Sequence, residues 1–270
     1  MTHPARGEGT VRVVDTPASL LDVRDVSVEF GGIVALDGLS FSIDPGIVCG
    51  LIGPNGAGKT TMFNVVSRIY QPSAGSVTFD GRDLLSVPAH EIAHLGIART
   101  FQNLALFPSM TLLENVMVGA HSQGSVGVWR AIARLGAARE DRAMREWSRD
   151  LLERLGLADL AHHPAAALPF GTLKRLEIAR ALAARPKFLL LDEPAAGLTH
   201  SEVDELGDTI LAVRESFDLT ILLVEHHMSM VMRISDEVVA MEFGRKIAQG
   251  RPEQVRNDPE VVRAYLGGDE

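Results

Sequence analysis

Short runs of alternating apolar and polar residues occupy the early part of the chain. The runs LDVRDVSVEF and LSFSID, which begin at Leu21 and Leu39, place Val, Ile and Phe at near two-residue spacing and predict strands. The run IVCGLIG is continuously apolar, as in a strand covered on both faces. VTFDG predicts one further strand and a turn. We therefore expect an antiparallel β region at the amino terminus.

Helical spacing replaces this alternation from about residue 87 to residue 156. Met144, Trp147, Leu151 and Leu155 recur at three- and four-residue steps and form one apolar stripe. A tryptophan on such a stripe is usually a core residue rather than a platform for a ligand. Further on, LKRLEIARALAA predicts a helix that is closed by Pro186.

Two later apolar runs, FLLLD and TILLVE, are separated by a helical stretch at about residues 201–217. Strands that alternate with helices indicate βα units, so we predict an α/β fold with a mostly parallel sheet. The helical block predicts a subdomain inserted at about residues 102–175. A helical tail is expected at about residues 252–266. Residues 1–20, polar and rich in Gly and Pro, are expected to form a flexible extension to a single domain of residues 21–270.

The formal net charge of −9 argues against a nucleic-acid partner, because nucleic-acid binders usually carry a basic surface. Cys49 is the only cysteine, which excludes an internal disulfide, and its apolar neighbours predict a buried side chain. No apolar stretch reaches the ~18 to 20 residues that span a bilayer, and the amino terminus lacks the apolar segment of a signal peptide. We therefore expect a cytoplasmic protein that meets the membrane through a partner.

A glycine-rich loop is the clearest chemical motif. GPNGAGKT fits the pattern G-x-x-x-x-G-K-[ST] between a predicted strand and a predicted helix. Its glycines let backbone N–H groups point at phosphate oxygens, Lys59 can reach the β- and γ-phosphates, and the Thr60 hydroxyl can bind Mg²⁺. The positive end of the following helix favours the same anion. The predicted contacts to the nucleotide are Gly53, Pro54, Asn55, Gly56, Ala57, Gly58, Lys59, Thr60 and Thr61.

Polar residues also follow the two later apolar runs. Asp192 and Glu193 fall at the carboxyl end of a predicted strand, where open α/β sheets bind ligands. Asp192 can hold Mg²⁺ through water, and Glu193 can orient or deprotonate the water that attacks a phosphoryl group. His226 could donate a hydrogen bond to the γ-phosphate, although a lone histidine after a strand is more often structural.

With these motifs in this order, residues from about 21 to 266 resemble the nucleotide-binding subunits of ABC transporters. The resemblance implies a P-loop NTPase core that binds ATP and Mg²⁺. It implies that Asp192 is the Walker B aspartate, that Glu193 is the catalytic glutamate and that His226 is the switch histidine.

The same resemblance adds two candidate residues outside the apolar runs. Phe30, in VEFGG, matches the aromatic residue that stacks on adenine, and the alternative is a core strand aromatic. Gln102, in ARTFQNLALFP, matches the glutamine that senses Mg²⁺ and the attacking water and that links to the helical subdomain.

The segment Leu168 to Thr172, followed by LKRLEIARALA, resembles the signature motif of the family. In the family this motif caps the ATP held by the other subunit of a head-to-tail dimer. Pro169, Phe170 and Thr172 replace the usual serine, glycine and glutamine. Proline has no hydroxyl and no N–H, although it is tolerated at the first position of a helix. We therefore expect Gly171 and Thr172 to carry the remaining contacts.

Two more positions depart from the family pattern. Thr199 replaces the aspartate of the D-loop, and His227 replaces the acidic residue that usually follows the switch histidine. These departures affect the residues that contact the ATP of the second subunit more than the residues that contact the ATP of this chain.

Three sequence segments are most similar to the ATPases of branched-chain amino acid importers: DEPAAGL, LLVEHHMSMVM and RNDPEVVRAYLG. The resemblance implies an ATP-hydrolysing subunit that energises a separate permease at the inner face of the cell membrane. Its second ATPase subunit could be identical or different. Three alternatives stay open: an ATPase of the lipopolysaccharide-export type, a non-transport ABC protein that acts on ribosomes or DNA, and a regulatory module without hydrolysis.

Overall fold

The computed structural model describes residues 19–100, 104–120 and 134–266. Residues 1–18 of the predicted extension and the candidate Gln102 lie outside these ranges. The described residues contain the strands β1 Leu21–Phe30, β2 Ile33–Ile43, β3 Val48–Ile52, β4 Ala74–Phe79, β5 Arg82–Asp83, β6 Ile97–Arg99, β7 Phe188–Asp192, β8 Thr220–Val224, β9 Glu237–Glu242 and β10 Arg245–Gly250. They contain the helices α1 Lys59–Val66, α2 Leu112–Ala120, α3 Arg134–Arg154, α4 Phe170–Leu182, α5 His200–Phe217, α6 Met228–Ile234, α7 Pro252–Arg256 and α8 Pro259–Leu266.

These strands form two sheets. The smaller sheet has the order β2-β1-β4-β5, and every neighbouring pair is antiparallel. The central sheet has the order β10-β9-β3-β8-β7-β6. Its neighbours from β9 to β6 pair in parallel, and β10 is antiparallel to β9. The predicted α/β class, with a mostly parallel sheet and an antiparallel amino-terminal region, is confirmed.

The central strands are apolar throughout because both faces of the sheet are covered. On β8, Ile221 and Leu223 pack in one core with residues of α4, α5 and α6. Leu222 and Val224 pack in a second core with α1 and the antiparallel sheet. Side chains of a strand alternate between faces, so a strand inside two cores must be apolar at every position. Cys49 lies in the second core, as predicted, and burial raises the pKa of its thiol.

Between β6 and β7, the regular elements of the described chain are helices joined by loops. Leu112 of α2, Leu151 of α3 and Leu176 of α4 are fully buried together in the first core. Trp147, on the predicted apolar stripe, is half-buried, and its Nε1 donates to the carbonyl of Ala183 at 3.3 Å. Every helix in the described part of the chain is too short or too polar to cross a bilayer.

Strand β6 interrupts the stretch that the sequence predicts as mostly helical. Ile97 and Arg99 align in parallel with Phe188 and Leu190 of β7. Three residues are too few for any alternation to show in the sequence, and the strand is defined by its pairing with β7. Its position matters for the site, because it places Arg99 beside the carboxyl end of β7.

Candidate functional site

Three neighbouring strands of the central sheet end where the sequence predicts polar chemistry. β3 pairs in parallel with β8, and β8 pairs in parallel with β7. Gly53 follows β3, Asp192 is the last residue of β7, and Glu225 follows β8. Since parallel strands end along one edge of a sheet, the glycine-rich loop of residues 53–60 (the phosphate loop), the carboxylates of Asp192 and Glu193, and His226 are brought to the same edge.

Neighbouring backbone lies too close to two loop glycines for any side chain to fit. Gly53 has a φ of 154°, and a Cβ there would lie 2.2 Å from the carbonyl oxygen of Met241 on β9. Gly58 has a φ of 99°, and its Cβ would lie 2.6 Å from the carbonyl oxygen of Ala35 on β2. Both sheets therefore press on the phosphate loop and fix its path.

Lys59 is held over the phosphate loop at the start of α1. Its Nζ donates to the carbonyl of Gly53 at 2.6 Å and to that of Pro54 at 3.0 Å. Burial lowers the pKa of Lys59, and the nearby Glu193 opposes that shift. Gly58 provides no side-chain cap for α1, and the first N–H groups of a helix have no partners within it. The amine and these N–H groups form a site for an anion.

The sequence predicts Thr60 and Asp192 as oxygen ligands for a magnesium ion. Thr60 is exposed in the first turn of α1, and Thr61 is half-buried. The Thr60 hydroxyl and the Asp192 carboxylate are the hard oxygen donors that Mg²⁺ prefers, and this ion usually shares its shell with substrate phosphates and water. Across residues 19–100, 104–120 and 134–266, no group of three His, Cys, Asp or Glu side chains could hold a metal. The donors present fit an ion shared with phosphates.

Asp192 is paired with an arginine that the sequence analysis did not single out. One carboxylate oxygen of Asp192 accepts from Nη2 of Arg99 at 2.8 Å, and the two side chains are only 4% and 11% exposed. Nη1 of Arg99 donates to Asn64 at 2.8 Å and to Ser67 at 3.1 Å. Because an unpaired buried charge is costly, this pair fixes the Asp192 carboxylate and ties it to α1.

Glu193 and His226, two of the predicted catalytic residues, are in direct contact. Oε1 of Glu193 lies 2.9 Å from Nε2 of His226, and a carboxylate can only accept, so Nε2 carries the hydrogen. Glu193 has a φ of 48°, in the left-handed region, and its N–H donates to the carbonyl of Val224 at 2.8 Å. Such a backbone costs of order 1 kcal/mol and needs its surroundings to hold it.

Pro169 is the N-cap of α4, one position before the first helical residue. Its φ of −58° and ψ of 152° are extended, and it makes no side-chain cap. The helix begins at Phe170, so the N–H groups of Gly171 and Thr172 belong to the unpaired first turn. The side chain of Thr172 is buried, which leaves the N–H of Gly171 as the more accessible of the two predicted contacts.

The start of α4 lies against the segment that follows Glu193. A Cβ on Gly197 would lie 3.1 Å from the Phe170 ring. Thr199 is the N-cap of α5 and forms a capping box with Glu202. Hydrogen bonds from the Thr199 backbone and hydroxyl lower the pKa of Glu202. The threonine that replaces the D-loop aspartate therefore starts a helix.

Phe30 ends β1 and is 44% exposed, which contradicts the alternative of a core strand aromatic. Its ring meets Tyr70 edge to face, with centroids 4.9 Å apart. Burial raises the pKa of Tyr265 on α8, and the nearby backbone of Gly53 partly offsets the rise.

Comparison with known proteins agrees with this geometry. A family model described as ABC transporter matches residues 36–196, and one described as branched-chain amino acid ATP-binding cassette transporter matches residues 245–270. The chain is 41% identical to the high-affinity branched-chain amino acid transport ATP-binding protein BraF of Pseudomonas aeruginosa, over 92% of this chain and 98% of that one. It is 42% identical to LivG of Salmonella typhimurium over the same shares.

A solved structure shares the fold. It is the ADP conformation of MJ1267, an ATP-binding cassette of an ABC transporter, with a TM-score of 0.81 and 32% identity. The match covers 93% of this chain and 99% of that one.

The Arg99–Asp192 pair gives a stability prediction. Replacing Arg99 with Met leaves a buried carboxylate without its partner, so we expect the free energy of unfolding in urea to fall by about 3–5 kcal/mol. Asp192→Asn in the same chain should recover part of this loss. Arg142→Met, which removes an exposed pair with Glu146, is the control and should cost less than about 1 kcal/mol. Equal losses for Arg99→Met and Arg142→Met would contradict a buried pair.

Proposed function

The chain belongs to the ABC transporter family as an ATP-binding subunit, and we propose that it hydrolyses ATP to drive a separate membrane permease. The observation that carries this proposal is the 2.9 Å contact between Glu193 and His226, at the sheet edge that also holds Lys59. Attack of water on a phosphoryl group needs a base beside bound phosphates; Glu193 would be this base, and Lys59 would help to bind the phosphates.

Binding of the triphosphate uses the phosphate loop. Lys59 exchanges loop carbonyls for oxygens of the β- and γ-phosphates, and the N–H groups at the start of α1 contact the same anion. Thr60, Asp192 and, by resemblance, Gln102 would hold Mg²⁺, which neutralises negative charge on the phosphates. Arg99 keeps Asp192 in place for this task.

Hydrolysis uses the pair at the end of β7 and β8. Glu193 accepts a proton from the attacking water while the oxygen of that water bonds to the γ-phosphorus and the bond to ADP breaks. His226 presents Nε2–H to Glu193, and its exposed ring allows this one N–H to be shared with a γ-phosphate oxygen when ATP is bound. The products are ADP and phosphate.

The adenine base of ATP is held by stacking on Phe30. Its exposed ring at the end of β1 offers an aromatic face, and Tyr70 supports it from the side. Stacking tolerates any base because every base has a π-face. The protein is therefore expected to accept GTP to some degree.

A second ATPase subunit completes the site in a head-to-tail dimer. The N–H of Gly171 and the positive end of α4 reach the γ-phosphate held by that subunit. Pro169 provides neither a hydroxyl nor an N–H, so this half of the site is weakened rather than absent. The second subunit could be a copy of this chain or a related ATPase.

The transported solutes are branched-chain amino acids or related small molecules, taken up through the permease. Support comes from the similarity to BraF and LivG, which are branched-chain amino acid transport proteins, and from the family match at residues 245–270. The subunit works in the cytoplasm, bound to the inner face of the membrane through the permease.

Two substitutions separate binding from hydrolysis. Lys59→Ala removes a charged contact worth about 1.5–3 kcal/mol, so ATP affinity measured by calorimetry should fall about 10- to 100-fold. Glu193→Gln keeps the shape but removes the base, so the rate of phosphate release should fall about 10² to 10⁴-fold while ATP binding survives. Glu253→Gln, an exposed carboxylate on α7, is the control. If Glu193→Gln hydrolyses ATP at the parent rate, the proposed base is wrong.

Pro169→Ser tests the weakened half of the site. The new hydroxyl can donate to the γ-phosphate across the dimer, a contact worth about 1.5–3 kcal/mol, so ATP-dependent dimerisation should increase. It should be measured by analytical ultracentrifugation in the Glu193→Gln background. ATP binding by the monomer should not change.

The control separates this contact from helix capping. Serine also caps α4, and Pro169→Asp provides a cap with a negative charge that repels phosphate. We expect Pro169→Asp to stabilise the fold without increasing dimerisation. Flat dimerisation in both variants would show that the serine contact is not what this chain lacks.

A further inference from the structure

Glu225, the first residue after β8, joins two loops of the site through a buried carboxylate. The residue is 1% exposed. Its Oε1 accepts from the N–H of Ala195 at 2.6 Å. Its Oε2 accepts from the N–H of His226 at 2.7 Å, from the N–H of His227 at 3.1 Å and from Nδ1 of His227 at 3.1 Å.

We propose that Glu225 is a positioning residue for hydrolysis, which sets the distance between Glu193 and His226. This role rests on the proposed ATPase function. The Glu225 carboxylate does not act on the reacting groups of Glu193 and His226. It acts through the backbone segments that carry these two side chains.

The backbone of Glu193 is strained. Its left-handed φ of 48° is held by two fixed points, one on each side. The N–H of Glu193 itself is bound to the carbonyl of Val224, and the N–H of Ala195, two residues later, is bound to Glu225. Both points lie at the end of β8. The loop that carries the base is therefore anchored to the strand that carries the histidine.

The other oxygen of Glu225 controls the histidine loop. Two successive N–H groups, of His226 and His227, converge on Oε2. The third donor to this oxygen is a side-chain atom, Nδ1 of His227. Since one carboxylate spans both loops, a shift of either loop must move the Glu193–His226 contact of 2.9 Å.

The same anchor reaches toward the second subunit. Ala195 leads to Gly197, which lies under the Phe170 ring at the start of α4. Glu225 thus connects the catalytic pair within this chain to the segment next to Pro169 and Gly171. A displacement of that segment can therefore be transmitted to Glu193 over a few residues of the same loop.

A plain structural role is the competing explanation, because any acceptor could satisfy buried N–H groups. The two roles differ in what a glutamine would do. Glutamine retains the size but turns one acceptor into a donor, which must then face an N–H of Ala195 or of the His226 loop. A structural role predicts lower stability alone, whereas a positioning role predicts a slower chemical step at unchanged affinity.

The experiment compares Glu225→Gln with Leu223→Ala in the purified full-length chain. Leu223 lies on β8, the strand that leads into Glu225, and packs in the first core, so its truncation weakens that core without removing a hydrogen bond of Glu225. ATP affinity is measured by calorimetry, and the single-turnover rate of hydrolysis is measured with protein in excess over MgATP, at a temperature where both variants are folded. Misplacement by about 1 Å can cost about 10²-fold in rate.

We expect Glu225→Gln to slow single-turnover hydrolysis about 10- to 100-fold while ATP affinity stays within about threefold of the parent. Leu223→Ala should keep the parent rate within about twofold, since nothing in the site moves. If Glu225→Gln does not fold, His227→Leu removes one of the four donors and should slow the same step several-fold. A parent-like rate in whichever variant folds overturns the positioning role.

The same measurement distinguishes this proposal from the proposed function. An unmodified chain that does not hydrolyse ATP, alone or with its permease, overturns both. An unmodified chain that hydrolyses ATP, with Glu225→Gln no slower than Leu223→Ala, overturns the positioning role alone.

Discussion

Burial of the central sheet on both faces confines its polar chemistry to the ends of the strands. Every residue of β3, β7 and β8 is buried, and the chain can place functional groups only where those strands stop. Parallel pairing makes the three ends coincide at one edge. Gly53, Asp192 and Glu225 are far apart in sequence and meet because each is at the last position of a strand or just beyond it. The phosphate loop, the base and the histidine depend on this one packing constraint.

Charges at such an edge are partly buried and need partners. Asp192 is paired with Arg99, and Glu225 accepts four hydrogen bonds from two loops. Lys59 donates to the loop that it serves. Each partner also holds the charged group in one place. The interactions that offset the cost of burying these charges therefore also set the geometry of the site.

The sequence predicted the parts of the fold and site that depend on local pattern. Continuous apolar runs predicted the buried strands, and the spacing around Lys59 predicted the phosphate loop. The partners of buried charges were not predicted, because they depend on strand pairing. Arg99 lies on a three-residue strand that is defined by its pairing with β7, and Glu225 is in the sequence the last residue of the run TILLVE.

An experimental structure with Mg²⁺ and a non-hydrolysable ATP analogue tests this arrangement most directly. The quantities to measure are the distances from the γ-phosphate oxygens to Nζ of Lys59 and to Nε2 of His226. We expect both atoms within hydrogen-bonding distance of the γ-phosphate, with the Thr60 hydroxyl on the metal. A triphosphate bound away from the ends of β3, β7 and β8 would contradict the site described here.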